Sequence, residues 1–381
     1  MTVARPIRVL HVVGGMDRGG IETWLMHILR NVDSKRFHMD FLVETSKEYA
    51  YNEEVRSLGS KVIPCLEPKK PRKYAANFRK AYNENGPYDI VHSHNHHFSG
   101  FVLHHAHKAN VPVRIAHSHN DRTELESHAG LLRHLYLRLA KRLIRQHSTV
   151  GLAVSEKAAI SLYGDDWQSD RRWQLLYCGI DLSPFSARVD SNTLRALLGL
   201  PNDAFVVGHV GRFVEAKNHA FLIDIFVETL RLKPNAHLLL IGEGPLLPLI
   251  RKRVDEAGLT GKVSFGGSRS DVPQLMGGVM DALVMPSLHE GLPLVGLEAQ
   301  AAGIPLIISD TVTKELNIVE ASVTRVELTQ PARIWAEALC RRSSSLNPEE
   351  ALRSVGKSPF NIANSLASLE RIYQRAYPHA A

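Results

Sequence analysis

Two carboxylates, Glu290 and Glu298, bracket the run Glu290-Gly291-Leu292-Pro293-Leu294-Val295-Gly296-Leu297-Glu298 of a 381-residue chain. The run follows a short apolar stretch and reads as the opening of a helix, with Pro293 suited to its first turn. At about 1.5 Å per residue the two carboxylates then stand roughly 12 Å apart along the axis. That span matches two diols held at the ends of a diphosphate. Carboxylates accept paired hydrogen bonds from vicinal hydroxyls, and a helix N-terminus between them favours phosphate. The same pattern also fits a plain helix with one acid near its start and one on a solvated face. A second set is cationic. In Gly211-Arg212-Phe213-Val214-Glu215-Ala216-Lys217-Asn218, Arg212 and Lys217 fall just beyond a strand, where open α/β sheets bind ligands, and could neutralise a leaving diphosphate without a metal. A surface loop carrying an Arg and a Lys is the alternative.

Two further groups lie in the first half. Gly14-Gly15-Met16-Asp17-Arg18-Gly19-Gly20 joins a strand to a helix, and Gly19 and Gly20 would let backbone amides approach an anion at the helix start. It is not the G-x-G-x-x-G of dinucleotide sites. His92-Ser93-His94 and His117-Ser118-His119 each put two imidazoles on one face of a strand, and His96, His97, His104, His105 and His107 follow. Imidazole clusters suit zinc, which makes a metallohydrolase an alternative class. With no carboxylate at ligand spacing, most of these histidines read as hydrogen-bonding or surface residues.

These groups need a scaffold that holds strand ends together. Ile7 to Val13, Met39 to Val43, Asp89 to His92, Val113 to His117 and Gly151 to Val154 read as buried strands, alternating with helical spacing such as Ile21 to Leu29. A polar stretch near residues 180 to 200 interrupts the pattern. It restarts with Ala204 to Val210, His237 to Ile241, Lys262 to Phe265, Ala282 to Met285 and Pro305 to Ile308, and with the helical segment Ala220 to Leu232. The reading is α/β, with two doubly wound, Rossmann-like domains facing across a cleft. Their expected bounds are 1–185 and 186–359, with a helix in 360–381 returning to the first.

Charge is unevenly placed. The chain carries 46 Lys+Arg and 39 Asp+Glu, a formal +7. Residues 1–190 hold 27 of the basic and 20 of the acidic side chains, and the remainder is balanced. No acid falls between Glu126 and Glu156, where Arg133, Arg138, Lys141, Arg142 and Arg145 share a helical segment with Leu132, Leu135, Leu139 and Leu143. The leucine stripe reads either as core or as one face of a basic helix on an anionic membrane. Nucleic acid is disfavoured, because no helix-turn-helix, zinc finger or aromatic-rich basic sheet accompanies the charge. No run is apolar enough to span a bilayer, and three scattered cysteines suit a reducing cytoplasm. The expected location is cytoplasmic, at the inner face of the membrane.

Taken together, Gly19-Gly20-Ile21-Glu22, Gly211-Arg212 with Lys217, Gly242-Glu243-Gly244-Pro245 and the Glu290 to Glu298 element resemble the retaining glycosyltransferases of family 4, of GT-B architecture. Val91-His92-Ser93-His94-Asn95, Ile115 to Asn120 and Ser309-Asp310-Thr311 resemble its capsular and exopolysaccharide branch. The resemblance implies that the second domain holds a nucleotide-diphosphate sugar. Arg212 and Lys217 would grip the diphosphate, Glu298 the ribose, and Glu290 the transferred sugar. Gly244, Gly291, Leu292, Leu294 and Val295 would line the donor, with Val272 near the nucleobase edge and Gly19 and Gly20 near the phosphates or the acceptor. His117 or His119 would line the donor sugar on the acceptor side. It further implies transfer, with retention, to a lipid-linked or polysaccharide acceptor. No cofactor is expected, and with no D-x-D triplet in the chain no metal is expected at the diphosphate. A nucleotide-sugar epimerase and a non-catalytic membrane-associated assembly partner are the alternatives.

Overall fold

The computed structural model describes residues 5–121, 123, 126, 130–187, 189–341 and 347–377. The chain divides into two compact units, Met1–Gly179 with Ile362–Ala381, and Ile180–Asn361.

In the first unit, strands alternate with helices in the order β1 (Ile7–Val13), α1 (Gly20–Asn31), β2 (Phe37–Val43), α2 (Asn52–Ser57), β3 (Val62–Pro64), α3 (Pro71–Asn85), β4 (Ile90–Ser93), α4 (Ser99–Lys108), β5 (Val113–Ser118), α5 (Leu131–His147), β6 (Val150–Ala153), α6 (Glu156–Tyr163) and β7 (Trp173–Leu175). The strands form one parallel sheet ordered β3-β2-β1-β4-β5-β6-β7. Helices cover both faces of such a sheet, so its strands are largely apolar and buried, as at Val9, Val12, Phe41, Ile90, Ile115 and Leu152, with His11, Asp40, His92 and His117 as buried polar exceptions. Strand order reverses between β1 and β4, which makes their carboxyl ends the natural ligand crevice of this sheet.

The second unit runs α7 (Ser191–Leu197), β8 (Phe205–Val210), α8 (His219–Leu232), β9 (Ala236–Ile241), α9 (Leu247–Glu256), β10 (Val263–Gly267), α10 (Val272–Gly278), β11 (Ala282–Met285), α11 (Leu294–Ala301), β12 (Leu306–Ser309), β13 (Val323–Val326), α12 (Ala332–Cys340) and α13 (Pro348–Lys357). Its parallel sheet is ordered β10-β9-β8-β11-β12-β13, with the reversal between β8 and β11. Val207, Leu238, Leu240, Val284 and Ile307 pack with Phe226 and Trp335 in its core.

The final helix, α14 (Ile362–Ala376), belongs to the first unit. Trp24 Nε1 on α1 donates to Ser365 Oγ at 3.1 Å, and Ser365 Oγ donates to the Tyr177 carbonyl at 2.7 Å. The units join at 179/180 and 361/362, against sequence bounds at 185/186 and 359/360. The shift has a local cause. Ile180 N–H donates to the Phe360 carbonyl at 2.8 Å and Ile180 bridges to Asn361, so both segments are tied to each other inside the second unit.

On two points the structure decides between alternatives that the sequence left open. The stripe Leu132, Leu135, Leu139 is not core: α5 buries Leu137, Ala140, Ile144 and His147, while Leu131, Leu132, Leu135 and Leu139 are exposed, Leu132 by 83%. Of its two faces only the one at 137, 140, 144 and 147 is buried, and α5 packs chiefly on α4. Nor are the four histidines of the two His-Ser-His motifs on the surface: His92, His94, His117 and His119 are all buried, as are His96 and His97 after the first motif.

Candidate functional site

In the second unit the cationic loop and the acidic run meet. Arg212 and Lys217 follow β8 and Glu290 follows β11, the two strands that flank the reversal. Lys217 Nζ and Glu290 Oε1 lie 2.5 Å apart, with 18% and 12% of their side chains exposed. Leu288 N–H donates to the Ala216 carbonyl at 2.8 Å, locking the two loops together. Arg212 is exposed, and its guanidinium makes no hydrogen bond or ion pair among the described residues.

Beneath this loop lies a glycine cradle. Gly242 (φ +133°) and Gly244 (φ +159°) follow β9 in conformations that L side chains rarely adopt. A Cβ at Gly242 would overlap the Gly211 carbonyl, and one at Gly244 would stand 2.6 Å from the Phe213 carbonyl. Phe213 N–H donates to the Glu243 carbonyl and Gly211 N–H to the Ile241 carbonyl, both at 2.9 Å. Gly244 therefore supports the backbone of the Arg212 loop by close approach.

The acidic run is less helical than its spacing suggests. Helix α11 starts at Leu294 with Pro293 as its N-cap, so Glu290, Gly291 and Leu292 lie in the loop before it. The axial span of roughly 12 Å for a continuous helix does not apply here. Leu294 and Val295 supply the first-turn amides, with no side-chain cap taking them. Glu298, one turn on, is largely enclosed and has no cation or hydrogen-bond donor at its carboxylate among the described residues. Burial pushes its pKa up from 4.5 to about 7. Val272 opens α10, next to the Arg269–Asp271 ion pair at 2.6 Å.

Sequence reasoning gave no structural role to several groups here, although it quoted Ser309 and Thr311 as part of a motif. Gln300, fully buried, donates to the Gly296 and Leu316 carbonyls and accepts from the Ile318 and Val319 amides, fastening α11 to the segment after β12. Ser309 Oγ and Thr311 Oγ1 both donate to the Ser287 carbonyl, at 2.7 and 3.0 Å. His209 Nδ1 donates to the Val284 carbonyl at 2.8 Å, and His219 stacks on Phe213. A histidine inside an apolar strand, as in Val207-Gly208-His209-Val210, was the available signal for the last.

In the first unit, Gly19 is the N-cap of α1 and Gly20 its first residue, with no side-chain cap. A Cβ at Gly20 would meet nothing within 4 Å, whereas one at Gly19 would strike the Glu22 carboxylate. His117 is the penultimate residue of β5 and His119 follows the strand, and both join a cluster with His11 of β1 and with His92 and His94, which flank the last residue of β4. The cluster has two hydrogen-bonded rows. One runs from Cys178 Sγ to His119 Nδ1 (3.8 Å), His119 Nε2 to His94 Nδ1 (2.8 Å) and His94 Nε2 to His11 Nδ1 (3.0 Å). The other runs from Tyr373 Oη to His92 Nδ1 (2.8 Å) and His92 Nε2 to His117 Nδ1 (3.1 Å). Burial drives the pKa of His11 and of His119 down to about 3, and those of His92, His94 and His117 well below 6.5, so all five rings are neutral near pH 7. Nearby, His97 and Glu126 pair closely, and Glu126 also meets Lys141 at 3.4 Å. A carboxylate thus does reach the histidines, 29 residues away in sequence.

Comparison with known proteins agrees with this layout. Residues 18–184 match the family described as Glycosyltransferase Family 4, and residues 190–341 match Glycosyl transferases group 1. The chain is 36% identical over 374 residues to "Putative glycosyltransferase EpsF" of Bacillus subtilis (strain 168), covering 96% of each chain. Over 136 residues, 35% of each chain, it is 31% identical to the UDP-Gal:alpha-D-GlcNAc-diphosphoundecaprenol alpha-1,3-galactosyltransferase of Escherichia coli. Among solved structures, Anabaena Alr3699/HepE in complex with UDP and glucose superposes with a TM-score of 0.81 at 18% identity, covering 97% of this chain and all of that one.

Proposed function

This chain belongs to glycosyltransferase family 4, and from that premise we propose that it moves a hexose from a UDP-type nucleotide sugar to a lipid-linked or polysaccharide acceptor, with retention at the anomeric carbon, in the synthesis of capsular or extracellular polysaccharide. The observation that carries the reading is the set of groups at the β8/β11 reversal: the unpaired Arg212, the Lys217–Glu290 pair and the unpaired, enclosed Glu298.

Each has a task in the transfer. Arg212 and Lys217 stabilise the diphosphate as it departs, with the α11 first-turn amides of Leu294 and Val295 beside it, and no metal is needed for that charge. The bond from the anomeric carbon to the β-phosphate oxygen breaks, and the acceptor oxygen bonds to the same face. The acceptor proton passes to the departing phosphate, so no protein nucleophile is required. A diphosphate that draws off Lys217 releases Glu290 to accept from the hydroxyls of the transferred sugar. Glu298 accepts from the ribose, and Val272 and Gly291 to Leu292 complete the donor surface. A panel of nucleotide sugars with membrane extract tests the whole reading. Acceptor-dependent release of nucleoside diphosphate supports it, and an isomerised donor or no reaction removes it.

Glu298 carries a prediction in which function and stability oppose each other. Its pKa of about 7 exceeds its unfolded value of 4.5, so the folded state holds a proton that the unfolded state gives up. The resulting penalty grows as pH rises through that window and is complete above 7. Glu298→Gln should therefore raise stability above pH 7 by on the order of 2 kcal/mol, with little change near pH 4.5. The same variant should weaken donor binding by about 1 to 3 kcal/mol, the scale of a lost charged hydrogen bond. Thermal melts across pH together with calorimetric donor titration check both, and unchanged affinity would count against the ribose assignment.

Helix α5 supports a membrane-associated acceptor, in line with a location at the inner face of the cytoplasmic membrane. No described helix is long and apolar enough to cross a membrane. On α5, however, exposed Leu131, Leu132, Leu135 and Leu139 sit among exposed Arg133, Arg138 and Arg142, the composition of a helix lying in an anionic interface. Leu132→Ser with Leu135→Ser should lower partition onto anionic vesicles by roughly tenfold or more without lowering Tm, since neither leucine is in the core. Sedimentation with vesicles of rising phosphatidylglycerol content measures it. Wild-type chain that stays in the supernatant at low salt would end the membrane role.

A further inference from the structure

The diphosphate chemistry uses none of the five clustered imidazoles as such, and their arrangement is that of a ligand set. We propose that His94, His117 and His119 hold a late first-row transition-metal ion of the zinc class, apart from the groups that neutralise the diphosphate. Their ligand-capable nitrogens lie within 4.8 Å of one another, and His94 also forms a second such triad with His11 and His92. All are deeply buried.

Two observations converge on this. The first is an unmet hydrogen-bonding capacity. Neutral imidazole carries one N–H and one lone pair, so a row of rings can satisfy its internal contacts and still leave one nitrogen bare at an end. The bare atoms are found where that predicts: His11 Nε2 has no partner, and His117 Nε2 lacks one of ordinary geometry, with the Leu176 carbonyl in its vicinity. Buried polar atoms normally have partners; with His11 Nδ1 accepting from His94, His11 Nε2 keeps its proton, and the vacant lone pair is that of His117 Nε2.

The second is that each proposed ligand already has an outer partner for its remaining N–H. With His94 binding through Nδ1, its Nε2–H faces His11 Nδ1 at 3.0 Å. With His119 binding through Nε2, its Nδ1–H faces Cys178 Sγ at 3.8 Å. With His117 binding through Nε2, its Nδ1–H faces His92 Nε2 at 3.1 Å, and His92 in turn meets Tyr373 Oη. Outer hydrogen bonds of this kind fix the tautomer and orientation of metal-binding histidines. The donor chemistry selects the ion: an all-imidazole set with a thiol behind it suits zinc, cobalt or copper and excludes magnesium and calcium, which require oxygen.

Cobalt(II) is the direct probe, because in a low-coordinate nitrogen site it gives intense visible d–d absorption. Full-length chain expressed in cobalt-supplemented minimal medium should purify with about one ion per chain and show that absorption. Zinc-grown chain should likewise carry about one zinc by elemental analysis. His94→Gln should lose the ion, and His104→Gln, altered in a separate histidine pair with His147, should keep it. Far-UV circular dichroism and UDP binding report whether His94→Gln remains folded. Should it fail to fold, the wild-type cobalt spectrum decides alone. Sub-stoichiometric metal, a six-coordinate spectrum, or full metal content in folded His94→Gln would overturn the proposal.

Discussion

Arg212→Ala is expected to lower transfer turnover by roughly 10²- to 10³-fold while leaving Tm nearly unchanged, because the side chain stabilises charge that exists only as the diphosphate leaves. The argument rests on its lack of partners. An exposed guanidinium with no ion pair among the described residues contributes little to folding, and such surface substitutions usually stay within about 0.5 kcal/mol. The glycine cradle keeps the loop in place whatever occupies position 212, since the 211–213 backbone is bonded to Ile241 and Glu243 rather than through the side chain. Steady-state kinetics beside a thermal melt tests both halves. Near-normal turnover would remove Arg212 from the transfer, and a large fall in Tm would recast it as structural.

Lys217→Met should lose turnover on a similar scale but should also cost roughly 2 kcal/mol of stability, less than the penalty for breaking a fully buried pair because both side chains keep some solvent. The loss leaves Glu290 enclosed without its cation. Adding Glu290→Gln should restore most of the stability and none of the turnover, since the carboxamide needs no counter-charge whereas the departing diphosphate still does. Denaturant melts and kinetics of the two single variants and the double variant measure this. Recovery of turnover in the double variant would mean that Lys217 serves only to pair Glu290.

How much of this was legible in the chain follows from what each residue has to satisfy. Ile7–Val13 and Ala282–Met285 read correctly from end to end, because central parallel strands are covered on both faces and leave a mostly apolar run, interrupted in the first by Arg8 and His11. The edge strands β3, β7 and β13 did not, since three or four residues such as Trp173-Gln174-Leu175 carry no period. On α5, hydrophobic spacing identified a helix but not which of its two faces is buried, because periodicity carries no information about the neighbouring surface. In the site, Arg212, Lys217 and Glu290 were readable individually as groups after strands. Their contact, across 73 residues, required the order of strands in the sheet. The start of α11 at Leu294 was obscured because Pro293 suits an N-cap as well as a first turn. The histidines were visible as a pattern, yet their burial depended on β1 lying beside β4, which pairs His11 with His92.

The bond between Ile180 and Phe360 has a consequence for how such an enzyme can be rebuilt. The two ends of the second unit leave it side by side, so in topological terms the segment 180–361 is a cassette inserted between β7 and α14 of a host. An insert whose ends meet can be exchanged without stretching either junction. Donor choice, if it resides in that cassette, is then an exchangeable property, and graft points at 179/180 and 361/362 leave the host's sheet and its closing helix in one piece.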